Sequence, residues 1–160
     1  MSKAVAIRKA TKADLPALGR LGALLLRTHY DFDAQRFMAP DGSADAGYAW
    51  FLGTQLREDD VVVLVADQEG EVVGYVYAGL EPQSWKELRE ACGFIHDVVV
   101  DERGRRTGVA TALIEAAADW LRAHGAPRMV LWTAQRNEAA QQLFERLGFR
   151  RTMIEMTREL

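Results

Sequence analysis

The chain has a single cysteine, Cys92, and therefore no internal disulfide framework. Neither sign of charge dominates. Its 20 basic residues stand against 23 acidic ones for a net charge of −3, so bulk electrostatics gives no pull toward nucleic acid. Its longest apolar runs, such as Val61–Ala66, fall far short of the roughly 18 residues that a membrane span needs, and no membrane partner is expected. The opening MSKAVAIRKA lacks the apolar core of a secretory signal, which makes the cytoplasm the expected compartment. No set of His, Cys and Glu has metal-ligand spacing, so no metal is expected. Two dinucleotide motifs are missing, Gly-x-Gly-x-x-Gly and the P-loop, as are internal repeats, low-complexity tracts and any interdomain linker.

What remains is an ordinary globular composition, 49% hydrophobic and 27% charged, over 160 residues. That length suits one domain, residues 1–160, with a real core. Ala4–Lys9 alternates apolar and polar and predicts a strand. A helix follows from near Asp14, with Pro16 in its first turn, and runs to about His29. Tyr30–Gly47 reads as loop, and Tyr48–Arg57 as a second helix. Val61–Asp67 and Val72–Leu80 flank a glycine turn and predict a hairpin. Trp85–Ala91 predicts a short helix, Phe94–Val100 a central strand, and Gly108–His124 a helix stopped by Gly125-Ala126-Pro127. Met129–Thr133 predicts a strand, Asn137–Leu147 a helix, and Phe149–Met156 a last strand. The order β-α-α-β-β-β-α-β-α-β predicts a mixed sheet with helices on both faces. Its Val98 and Met129 strands should be parallel across the intervening helix.

The stretch Phe94–Leu113 is chemically the most informative. A β-branched strand (Val98, Val99, Val100) crosses the charged turn Asp101-Glu102-Arg103-Gly104 and enters a helix at about Thr107-Gly108. A helix start leaves backbone N–H groups unpaired and carries partial positive charge. Arg105, Arg106 and the Thr107 hydroxyl stand beside it, so the turn suits an anion, best a diphosphate. A Cβ at Gly108 would hold phosphate oxygens off the backbone. The same residues also suit a plain surface turn feeding an ordinary helix.

Arg105-Arg106-Thr107-Gly108-Val109-Ala110 resembles the Arg/Gln-x-x-Gly-x-Gly/Ala signature of the GNAT superfamily of acetyl-CoA-dependent N-acetyltransferases. The segment from Asn137 through Leu143-Phe144 to Leu147-Gly148-Phe149 resembles that family's Asn-x-x-Ala-x-x-Leu-Tyr-x-x-Leu-Gly-Phe. Two motifs in the right order make the resemblance specific for the second half of the chain. It implies an α+β fold in α/β/α layers. The sheet would be mixed, mostly antiparallel and six- to seven-stranded, with a splayed central parallel pair. It also implies acetyl-CoA as co-substrate and an amine acceptor, either a small molecule or a peptide. A homodimer is a further implication, since related proteins are frequently dimers. A non-catalytic acyl-CoA sensor is the alternative function.

On that basis Val98, Val99 and Val100 would offer main-chain bonds to pantetheine, and the amides from Arg106 through Val109, Ala110 and Thr111 would hold the diphosphate. Asn137 suits the pantetheine arm or a simple helix cap. His96 and Asp97 precede Val98 where family members often carry Glu-Asp, and both are candidates for proton handling. Strand alternation puts His96 on the Val98 face and Asp97 opposite, unless a bulge intervenes. His96 equally suits burial by packing, and Glu81 is a more distant candidate base. Phe144 stands where the family usually has a tyrosine acid and has no proton to give. His29, Tyr30 and Trp85 fall in segments that would wall an acceptor pocket, though such aromatics also serve as core. Cys92 lies outside both motifs and reads as structural.

Overall fold

The computed structural model describes residues 3–160. Five strands form one sheet in chain order: β1 (Val5–Lys9), β2 (Val61–Gln68), β3 (Glu71–Glu81), β4 (Cys92–Val100) and β5 (Met129–Leu131). The first four run antiparallel to their neighbours, and β5 lies parallel to β4, as a strand–helix–strand crossover requires. Helices α1 (Leu15–Phe32) and α2 (Ala44–Gln55) connect β1 to β2, α3 (Val109–Ala123) connects β4 to β5, and α4 (Glu138–Arg146) follows β5.

Period-two alternation in the strands divides the core between the two faces. Val62, Leu64, Val76 and Ile95 meet Leu113, Ile114, Ala117 and Leu121 of α3. Val63, Val65, Tyr75 and Val99 meet Leu18 and Leu21 of α1 and Leu52 of α2 on the other face. Both layers are closely packed. A Cβ built on Gly22 of α1 would lie 2.2 Å from the Tyr48 ring of α2, so the approach of these helices requires glycine there.

Several boundaries differ from expectation, each for a physical reason. α1 extends to Phe32 and α2 starts at Ala44, shortening the predicted loop from both ends. The Asp41 side chain accepts the Ser43 N–H at 2.8 Å and sets up that earlier start. Trp85–Ala91 is a tight turn rather than a helix, closed by reciprocal backbone bonds between Ser84 and Arg89 at 2.9 and 3.0 Å. A segment that short gains too few helical bonds to meet the cost of nucleation. The Phe149–Met156 strand does not form, so the described residues hold five strands rather than six or seven. Alternation gives that segment strand propensity but does not supply a partner ladder.

Gly22→Ala should destabilise the protein by about 1–3 kcal/mol through overpacking against Tyr48. Urea unfolding checks this through a lowered midpoint at unchanged slope, and an unshifted midpoint would show that α2 yields freely.

Candidate active site

Two features of β4 build the site. The first is its contact with β5, which covers only Gly93↔Met129, Phe94↔Val130 and Ile95↔Leu131. Beyond Ile95 the strands part, and the β4 edge from His96 to Val100 is free of strand pairing on that side. The second is a bulge. Tyr77 of β3 pairs with Asp97 while Ala78 pairs with Ile95, so His96 is the extra residue. This is the bulge that the expected alternation allowed for: it takes His96 off the Val98 face and leaves Asp97 opposite Val98, where alternation puts it. Ile95 and Val98 pack into the α3 side of the core, whereas Asp97 bonds to Tyr75 of the α1/α2 side. His96 stacks on Phe94 at 4.9 Å and packs at 4.8 Å on Tyr77, which also belongs to that side.

Where the strands part there is a cleft of about 320 Å³, lined by Ile95, His96, Phe94, Trp132, Glu81 and the Glu87/Arg89 turn. His96 Nε2 lies 3.3 Å from Glu81 Oε1, and the histidine side chain remains partly exposed. Burial lowers the His96 pKa from its ordinary value and outweighs the opposing pull of Glu81. The imidazole is therefore neutral at pH 7, able to accept a proton, with a carboxylate beside it to hold the imidazolium.

Asp97 sits deeper. Tyr75 O–H donates to Asp97 Oδ2 at 2.9 Å, and burial pushes the carboxyl up to about 6 despite that bond and the nearby His29. Their own burial, and after it the Asp97 charge, in turn raise Tyr48 and Tyr77 to about 12 and Tyr75 well above the usual phenol value. Asp97 is thus enclosed by the aromatic underside of α1 and α2 and does not line the cleft.

The loop from β4 to α3 is anchored from beneath. Asp101 is buried and accepts bonds from Arg103 N (2.9 Å), from the Arg103 guanidinium (2.7 and 3.1 Å) and from Arg20 of α1 (3.2 Å). Burial alone would raise its pKa, but these cationic partners hold it below the usual carboxylate range. The loop above is exposed at Arg105, Arg106, Thr107 and Gly108. Thr107 donates to the Gly104 carbonyl at 2.5 Å, and Arg106 takes a left-handed φ of 61°. Gly108 at φ 80° is the N-cap of α3, without a side-chain cap bond. The N–H groups of Val109, Ala110 and Thr111 therefore have no intrahelical acceptor. A Cβ at Gly108 would point into open space, which leaves that approach to the amides clear.

The remaining expected residues are distributed as follows. Asn137 caps α4, its Oδ1 accepting the Ala140 N–H at 3.2 Å, which leaves its amide NH₂ available. Phe144 is half-buried and meets Phe149 edge-on at 5.8 Å. Val99 and Val109 bury their side chains in the core, so only their backbone can meet a ligand. His29 and Tyr30 are half-buried near the end of α1, and His29 Nδ1 lies 2.9 Å from the Leu25 carbonyl. Trp85 is 83% exposed and does not line the cleft. Sequence reasoning missed Trp132, which is 69% exposed and forms a cleft wall. It directly follows the last paired residue of β5, and that position was its only signal. Cys92 is buried beneath Arg89, its thiol pushed up by burial, which suits a structural role. Among the described residues no His, Cys, Asp and Glu cluster could hold a metal ion, and no helix is long and apolar enough to cross a membrane.

The geometry has counterparts in known proteins. The acetyltransferase (GNAT) family matches residues 24–149. An uncharacterized N-acetyltransferase of Methanocaldococcus jannaschii is 31% identical over 100 residues, covering 62% of this chain and 44% of the relative, so the chain spans under half that relative's length. The L-methionine sulfoximine/L-methionine sulfone acetyltransferase of Pseudomonas aeruginosa is 30% identical over 152 residues, covering 89% of this chain and 78% of the relative. An aminoglycoside N-acetyltransferase solved in complex with CoA superposes with a TM-score of 0.77 at 20% identity, over 100% of this chain and 97% of the other, which is a likeness of fold. With an open strand pair, a glycine-led helix start and a family match across most of its length, this chain belongs to the acetyltransferase (GNAT) family.

Proposed function

We propose that this protein is an N-acetyltransferase that moves the acetyl group of acetyl-CoA to a primary amine by direct attack in a ternary complex. The observation that carries the proposal is the uncapped, glycine-led start of α3 beside a free β4 edge, with His96 at the mouth where β4 and β5 part. The residues fit the co-substrate. Amides from Arg106 to Thr111 suit a diphosphate, and the backbone of Val98–Val100 suits a pantetheine arm added like a strand. The free NH₂ of Asn137 suits a carbonyl of that arm. Bound acetyl-CoA supplies an activated acetyl group.

The chain's own task is the amine's proton. An alkylammonium with pKa roughly 10 is about one part in a thousand neutral near pH 7, a deficit of about 4 kcal/mol. His96, neutral and open to the cleft, accepts that proton at the ring nitrogen turned away from Glu81, and Glu81, 3.3 Å from Nε2, steadies the imidazolium. Asp97 is the less accessible alternative because Tyr75 occupies its Oδ2. Phe144 supplies no acid, and a thiol with pKa roughly 8.5 leaves adequately without one. The acceptor enters between Trp132, Phe94 and Glu81. The P. aeruginosa relative and the aminoglycoside enzyme are named for small amines, which supports a small-molecule acceptor; peptides remain a test arm. We place the protein in the cytoplasm, where acetyl-CoA is made and the single thiol stays reduced.

Free-thiol release with an amine panel tests the activity, and CoA binding without turnover of any amine would overturn it. His96→Gln should lower kcat/KM by roughly 10²–10⁴-fold. In the unaltered enzyme kcat/KM should fall as pH drops through the depressed His96 pKa, below the ordinary histidine value, because protonation removes the base. That acid limb should vanish in His96→Gln and persist in Asp97→Asn; the opposite pattern would transfer the role to Asp97.

Asn137→Asp should keep the α4 cap and the thermal midpoint yet weaken CoA binding about tenfold, or roughly 1.4 kcal/mol. Asn137→Ala should lose both, the cap costing about 1 kcal/mol. Calorimetry and thermal melts read the two effects separately, and unchanged affinity in Asn137→Asp would leave Asn137 as a cap alone.

A further inference from the structure

The cleft wall holds a charged donor without an acceptor. Arg89 closes the turn that follows β3, and its side chain is 17% exposed. Its Nη1 donates to the carbonyls of Pro82 at 3.2 Å and Glu90 at 3.0 Å and meets the Cys92 Sγ at 3.2 Å. Its Nη2 donates to Glu87 Oε2 at 2.6 Å. Nε is buried and unpaired, the only side-chain nitrogen or oxygen of which this is true among the described residues. Leaving a buried donor unmade is costly, most of all on a charged group, so this one calls for a partner.

The shape of the guanidinium says which partner fits. Nε and Nη2 lie along one edge of a planar fork and match the two oxygens of a carboxylate. Glu87 uses only half of that edge, through one oxygen on Nη2. It is also a weak occupant, a side chain 40% exposed in an ion pair two residues from its partner. The bonds at Nη1 meanwhile hold the guanidinium in place, so the edge is preorganised. Arg89 and Glu87 line the same cleft as His96, where Phe94, Ile95 and Trp132 supply an apolar wall.

We infer that the acceptor is an amino acid, an amine that also carries a carboxylate, and that this carboxylate displaces Glu87 to take Nε and Nη2 of Arg89 together. Its amine then faces His96, and its apolar part lies against Phe94 and Trp132. Glu87 turns out to solvent. An amine without a carboxylate cannot displace Glu87 and leaves Nε unpaired. A site built around a buried polar group discriminates against such an analogue. The inference rests on the acetyl-transfer reading for the fate of the amine, and on Arg89 alone for the carboxylate.

Free-thiol release with matched pairs tests it, leucine against isopentylamine and γ-aminobutyrate against butylamine. In at least one pair the amino acid should be preferred in kcat/KM by roughly 10–100-fold, the range for hydrogen bonds between charged groups. Arg89→Lys keeps the charge but lacks the fork, and should collapse that ratio through a raised KM for the amino acid. Arg89 also holds its own turn, so a second variant guards against misfolding: Glu87→Gln weakens the competing carboxylate and should widen the ratio. Calorimetry on the CoA-loaded protein with the acetylated form of each compound reads the carboxylate site without turnover. Amines turned over with no preference in either pair, or a preference that neither variant alters, would overturn the inference and leave acetyl transfer intact. Binding of an acetylated amino acid that depends on Arg89, with no amine turned over, would support the carboxylate site and overturn acetyl transfer. Neither turnover nor such binding would overturn both.

Discussion

The architecture turns on two opposed demands placed on β4. Along one edge it must stay bonded to β3 over its whole length, because Ile95, Val98 and Val99 anchor both halves of the core. Along the other it must release β5 after Ile95. A flat, regular strand could meet both demands, but its side chains would alternate strictly across the sheet. The bulge at His96 changes that outcome by bringing His96 and Asp97 to the same side. Phe94 and Tyr77 sandwich His96 where the strands separate, while Asp97 is drawn under α1 and α2.

This division gives two ionisable neighbours different environments, and burial moves their pKa values in opposite directions. His96 is shifted down and Asp97 up, each toward its neutral form, as expected for a base and an acid in low dielectric. Only His96 faces the cleft. The β4–α3 loop is stabilised differently, by charge. Asp101 gathers Arg103 and Arg20 beneath the loop and ties it to α1, while the exposed arginines and amides above face solvent. A rigid floor under unpaired donors is what preorganised anion binding requires.

Legibility in the sequence followed the range of the interactions. The β-strands of the hairpin, the crossover with its parallel pair, and helices α1, α3 and α4 could be read from local periodicity and from the glycines at turns. The two motif segments indicated the family, and the loop they mark adjoins the open β4 edge. What escaped were consequences of pairing between distant segments. The bulge depends on how Tyr77 and Ala78 meet β4, and nothing in His96 or its neighbours reveals that. Trp132 lines the cleft because pairing stops at Leu131, a tertiary fact. The Phe149–Met156 strand was expected from alternation, yet strand formation needs a ladder that the rest of this chain leaves unoffered to it.

The central claim is that backbone groups at the start of α3 and along the open edge of β4 together hold coenzyme A. Amide chemical shifts followed by NMR during titration with CoA test it most directly. The account predicts the largest changes in the amides from Arg106 to Thr111 and in those of Val98 and Val100. Pantetheine alone should move only the β4 set. Saturating CoA that leaves both sets unmoved, or that perturbs chiefly residues far from them, would contradict it.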